Sequence, residues 1–210
     1  MPIGTVVRRY TSRSLLTMVA LLFWSQVYAT TPTHIQNEIP NARLAGQGIF
    51  RWFGLEIYNA QLWVSDRGFR SDAPTLEKFA LNLRYSRKLY GDKIAESSLD
   101  EIKKLGLGTQ SQQQSWLASM RTLFPNVEEG THITGIFIPN LGARFFLNGK
   151  LHGELLDAQF AQAFFAIWLS PNTSAPKLRN ALLSNASSIA SPNANPTISS
   201  SNNTGSKTAP

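Results

Sequence analysis

The chain has 210 residues, 42% of them hydrophobic, with no cysteine and a formal charge of +7. That length builds one domain with a real core, and the missing cysteine excludes disulfides, thiolate metal sites and lipoprotein anchoring. Arg8, Arg9 and Arg13 precede the first acidic residue, Glu38, so the rest carries a mild +4 spread along its length, and nucleic acid is not indicated as a partner.

Residues 1–29 have the parts of a cleavable export signal: the three arginines in front, a short apolar run from Leu15 to Trp24, and small residues at Val27-Tyr28-Ala29. The run is about half the length of a bilayer-spanning helix. The expectation is therefore cleavage near Ala29, a periplasmic address, and no integral membrane segment after removal. Residues 30–183 form the expected domain. Residues 184–210 are Ser, Asn, Ala, Thr and Pro with one charge, Lys207; such a tail buries too little apolar surface to offset its ordering entropy and is expected to stay disordered.

Within the domain, Gly46-Gln47-Gly48 reads as a bend leading into a strand at 49–53, and Gly54 separates that strand from another at 55–64. Both runs are rich in β-branched and aromatic residues. In 79–86, Phe79, Leu81, Leu83 and Tyr85 alternate with Ala80, Asn82, Arg84 and Ser86, a strand with one buried face. Apolar residues at helical spacing follow over 92–105, stopped by Gly106, and over 115–124, stopped by Pro125. Strands return at 133–138, 144–147 and 150–153, the last two joined by Asn148-Gly149, a type I′ hairpin signal. Asp157 is placed to cap a helix carrying Phe160, Phe164, Phe165 and Trp168, and a short helix is expected over 176–183. Strands, two helices, strands, two helices is the order of an α+β domain with a mostly antiparallel sheet covered on one face.

No cofactor or metal motif is present in this pattern. His34, His132 and His152 lack metal-ligand spacing, and Gly46-Gln47-Gly48 lacks the third glycine and following helix of a dinucleotide site. One cluster carries chemistry: Arg51, Arg84, Arg87 and Lys88 fall with Tyr58, Tyr85 and Tyr90 near the strand ends before the first predicted helix. Cations and phenols beside an apolar cavity suit an anionic or phenolic ligand; the plainer reading is a solvated face.

Gly46-x-Gly48-x-x-Arg51, Ile57-Tyr58-x-Ala60-x-Leu62-Trp63, Leu83-x-Tyr85-x-Arg87, Phe146-x-Asn148-Gly149, Asp157-x-x-Phe160-Ala161, Phe164-Phe165-x-Ile167-Trp168-Leu169 and Leu178-Arg179-x-x-Leu182-Leu183 run in order along residues 40–183. In this the chain resembles the bacterial exported chalcone isomerase-like domains of the chalcone-flavanone isomerase superfamily. The resemblance implies an open-faced β-sandwich, a large mostly antiparallel sheet covered by a layer of helices, with a ligand cleft between. It implies an arginine at Arg51 and a site tyrosine at Tyr90. Ser97 stands where the family's isomerases have asparagine, Tyr58 where they have a strand threonine, and Ala161 where they have a late hydroxyl. Ring closure needs hydrogen bonds fixed on the developing charge, and three of those groups are replaced. The expected function is a non-catalytic, cofactor-free binder of a fatty acid or other amphipathic anion, with Arg51, Tyr58, Tyr90 and Ser97 as ligand-binding candidates. Two alternatives stand beside it: an intramolecular lyase on another substrate, and an envelope protein-interaction module whose cleft is filled by its own side chains.

Overall fold

The structure is a computed structural model and describes residues 31–70, 74 and 76–187. The export signal expected over 1–29 and most of the expected tail lie outside the described residues. Six strands, β1 (Arg43–Trp52), β2 (Leu55–Val64), β3 (Phe79–Tyr85), β4 (His132–Ile138), β5 (Gly142–Leu147) and β6 (Lys150–Leu155), form one sheet in sequence order, every neighbour antiparallel. Helices α2 (Gly91–Lys104), α3 (Gln110–Leu123), α4 (Ala158–Leu169) and α5 (Pro176–Leu182) lie over one face. The α+β architecture expected from the order of elements is therefore present.

The alternation seen in β3 decides the layering. Phe79, Leu81, Leu83 and Tyr85 face the helices, and β2 and β4 add Tyr58, Leu62, Val64, Ile133 and Phe137 to the same core. Helix α4 supplies the opposing surface with Phe160, Phe164, Phe165, Ile167 and Trp168, its aromatic rings meeting edge-on across Phe145 and Phe79. Asp157 caps α4 as expected: its Oδ1 accepts from the backbone N–H groups of Gln159 and Phe160 at 2.8 and 2.9 Å. Its Oδ2 accepts from Trp116 Nε1 at 2.9 Å, so one carboxylate caps α4 and ties α3 to it. The Asn148-Gly149 turn has the two positive φ angles, 48° and 80°, that its residues favour.

Four expectations are corrected. Gly46 and Gly48 are not a bend leading into a strand but lie inside β1, which begins at Arg43. A Cβ on Gly46 would overlap the backbone carbonyl of Ala181, and one on Gly48 would meet Leu178 Cδ1 at 2.8 Å, so these glycines let α5 seat on the edge strand. Helix α3 begins five residues before Ser115, because Thr109 and Gln112 form a reciprocal capping box that carries the polar first turn. A helix absent from the sequence reading, α1 (Thr33–Glu38), covers part of the other sheet face, burying Ile35 and Ile39 against Trp63, Ala80, Ile136 and Phe146. It is held by Glu38, which accepts from Lys78 and Arg144 at 3.3 and 3.0 Å. Finally, the packed chain runs past Leu183: Asn185 N–H donates to the Ala45 carbonyl, Phe69 N–H donates to that of Ala186, and Ala186 is buried.

Candidate ligand-binding site

Between the hairpin end of the sheet and helices α2 and α4 lies a cavity of about 570 Å³, within the size range of small-molecule sites. Leu83, Tyr85 and Ile133 form its sheet side, Phe124, Phe164 and Ile167 its far wall, and Phe50 and Trp52 its side toward the first hairpin. The cleft is therefore not filled by its own aromatic residues. A second depression of about 440 Å³ between α3 and α4 has no titratable side chain in its lining.

The polar groups of the main cavity are few and differ in kind. Tyr58 projects from β2, stacked on Phe50 with ring centroids 5.1 Å apart and edge-on to Tyr85 at 5.8 Å. Its hydroxyl accepts from Trp168 Nε1 at 3.0 Å, which satisfies the buried indole and leaves the phenolic proton free to donate. Tyr85, on β3, is buried, yet among the described residues its hydroxyl has no hydrogen-bond partner. Burial pushes both phenols well above the ordinary tyrosine range; for Tyr58 the Trp168 bond opposes the shift and Glu101 adds to it, and for Tyr85 neighbouring Tyr58 adds to it. Both are thus neutral donors at any physiological pH.

The charged groups are confined to the rim, and all come from α2, where residues four and three apart share a face. Lys93, Ser97, Asp100, Glu101 and Lys104 line the opening. Lys93 is bound to Glu96 and Lys104 to Glu101, each at 2.7 Å, which raises both lysine pKa values. Ser174 Oγ donates to Glu101 at 2.6 Å and closes the rim against the loop before α5. The lining cations and anions balance in number.

The four sequence candidates separate on this geometry. Tyr58 lines the cavity wall and Ser97 its exposed rim. Arg51 is not among the lining residues: it follows a register shift in β1, is exposed, and pairs with Glu56 at 3.4 Å. Tyr90 is not among them either; it precedes α2, is 59% exposed, and lies beneath Lys88 Nζ, 5.8 Å from the ring centroid. Tyr85, outside those four, lines the cavity beside Tyr58. The alternation of β3 already places Tyr85 on the buried face beside Tyr58, and a buried phenol at a strand end was the available signal.

The domain thus consists of a single antiparallel sheet, a helical layer and an apolar cavity between them. The chain matches the chalcone isomerase-like family over residues 27–184 and belongs to that family. It is similar to an uncharacterized protein of Haemophilus influenzae, 30% identical over 138 residues, a match spanning 66% of each chain. Its fold is similar to that of a fatty-acid binding protein of Arabidopsis thaliana, with a TM-score of 0.56 and 14% identity over 70% of this chain and 89% of the plant chain. At that identity the likeness is one of fold.

Proposed function

We propose that the domain is a non-catalytic binder of one acyl chain, as a fatty acid or another amphipathic anion, and that it works after export to the periplasm. The observation that carries the reading is an open apolar cavity lined by Tyr58 and Tyr85, neither of whose hydroxyls donates a hydrogen bond among the described residues. An acyl chain fits against Leu83, Phe124, Ile133 and Phe164, and a head-group oxygen accepts from the hydroxyls of Tyr85 and Tyr58. Lys93 and Lys104 at the rim are held by glutamates and leave no net charge there, so hydrogen bonding rather than a buried ion pair anchors the head. A phenol kept protonated by burial binds an oxygen well but does not act as a base at neutral pH. With no cation in the cavity interior, stabilisation of a developing enolate is weak. The plant protein named as a fatty-acid binding protein shares the fold, which supports the ligand class.

The test is extraction. Protein purified from a native-like host should release lipid identifiable by mass spectrometry, and the delipidated protein should gain thermal stability on adding palmitate. An empty extract together with no thermal shift across a fatty-acid series would sink the reading. Consumption of a chalcone above background, lost on Tyr85→Phe, would replace it with an intramolecular lyase. Export is checked by N-terminal sequencing of the periplasmic fraction, where chains should begin near Thr30.

A further inference from the structure

The two tight hairpins of the sheet use the same turn with different residues. Asn148-Gly149 has φ angles of 48° and 80°, and Phe53-Gly54 has 48° and 78°. Asparagine tolerates the left-handed region, whereas a bulky aromatic is an outlier there. The phenylalanine at this position is also 86% exposed, so it contributes nothing to the core. Its ring contact is Trp52, edge-on at 4.8 Å and itself 62% exposed, and Leu55 and Ile49 extend the apolar tip. An exposed aromatic kept in an unfavourable backbone conformation points to an outside partner.

The charge around the tip says which kind. Glu56 neutralises Arg51. Arg87 reaches the same place, its Nε donating to the Glu56 carbonyl at 2.9 Å, but forms no ion pair among the described residues. Lys88, next in sequence, is exposed and lies over the exposed ring of Tyr90. The tip thus combines Trp and Phe at its apex with an amphipathic Tyr and two cations behind it that form no ion pair among the described residues. That is the arrangement of a segment seated at an anionic bilayer surface: rings among the headgroups, cations on lipid phosphates. Trp52 also lines the cavity, so the tip that would touch lipid adjoins the cavity.

We propose that the Trp52-Phe53-Gly54-Leu55 tip, with Arg87 and Lys88, docks on an anionic phospholipid surface and holds the cavity beside it. The proposal rests on the acyl-binding reading for what crosses the opening, though not for the docking itself. The experiment is co-sedimentation of the purified protein with vesicles of phosphatidylcholine alone or mixed with phosphatidylglycerol. Wild type should sediment with the mixed vesicles, less with neutral ones, and less as salt is raised. Phe53→Asn should weaken that partitioning about tenfold, roughly half the transfer gain of a buried phenylalanine, while leaving thermal stability equal or higher because asparagine suits the turn. Arg87→Gln with Lys88→Gln should weaken binding to mixed vesicles by roughly thirtyfold, about fivefold per cation, with little change on neutral ones. No sedimentation of wild type, or Phe53→Asn sedimenting like wild type, overturns the proposal. So does a wild-type dimer in solution that Phe53→Asn dissociates, since the tip would then bind a second copy. Palmitate binding from solution is measured in parallel: vesicle binding without palmitate binding removes the acyl reading and leaves the docking standing, and the reverse result does the opposite.

Discussion

Removing the hydroxyl of either cavity phenol deletes one oxygen, yet the two deletions should differ in what they cost the empty protein. In Tyr58→Phe the buried Trp168 N–H loses its acceptor, and an unsatisfied buried donor costs about 1–3 kcal/mol. In Tyr85→Phe no protein partner is left behind, because the hydroxyl has none among the described residues. That hydroxyl lines the open cavity and is not among the buried side-chain atoms left without a partner, so its loss should change the stability of the empty protein little. Ligand affinity should fall instead. Tyr85→Phe forfeits one hydrogen bond to the head group, about 0.5–1.5 kcal/mol or roughly two- to tenfold in Kd. Denaturant unfolding of delipidated protein gives the first quantity, and palmitate titration gives the second. If Tyr85→Phe destabilises the empty protein as much as Tyr58→Phe does, the Tyr85 hydroxyl has a protein partner and is not the anchor. If it leaves palmitate affinity unchanged, the head group lies elsewhere in the cavity.

Asp157→Ala removes the α4 cap and the acceptor for buried Trp116 Nε1 together; the two losses add to about 3 kcal/mol by denaturant unfolding, and Asp157→Asn, which keeps a capping oxygen, should lose less than half of that. Gly46→Ala drives a methyl into the Ala181 carbonyl; it should lower stability by about 1–3 kcal/mol as α5 is displaced, whereas alanine at Gly130, with open space around it but a φ of +84°, should cost only its backbone strain of about 1–2 kcal/mol. On the face under α1, burial lowers the pKa of both His34 and His132, aided by the charge of His132 on the first and of Arg84 on the second. The folded state then binds fewer protons than the unfolded one, so stability is full above the ordinary histidine value of 6.5 and falls as pH drops through the lowered folded values. A pH series of unfolding midpoints should show that fall, flattened in His34→Gln with His132→Gln; an unchanged slope would mean these histidines titrate as in the unfolded chain. At the alkaline end the raised phenols act in the opposite direction: stability should decline as pH rises above about 10, less so in Tyr85→Phe.

What the sequence determined by itself was everything encoded in short-range pattern. The period-two alternation of β3, the Asn148-Gly149 turn, the Asp157 cap and the aromatic stripe of α4 each depend on residues within a few positions of one another, and local sterics and hydrogen bonding decide them. The order of those elements was enough to place the chain in an α+β fold, and the loose motifs along it were enough to point to its family. Tertiary structure decided what depends on residues distant in sequence. Gly46 and Gly48 are read correctly only when α5, distant in sequence at Pro176–Leu182, is set against them. Helix α1 has too few residues to carry a helical signal and exists through burial of Ile35 and Ile39 on a sheet face. The candidate site shows the same division. Sequence identified the phenols and cations near the strand ends, but a register shift between Phe50 and Arg51 separates the arginine from the cavity lining, while the β2–β3 register sets Tyr85 beside Tyr58 in that lining. Which face a side chain takes follows from strand register, and which polar group is left unpaired follows from the packing of the whole core.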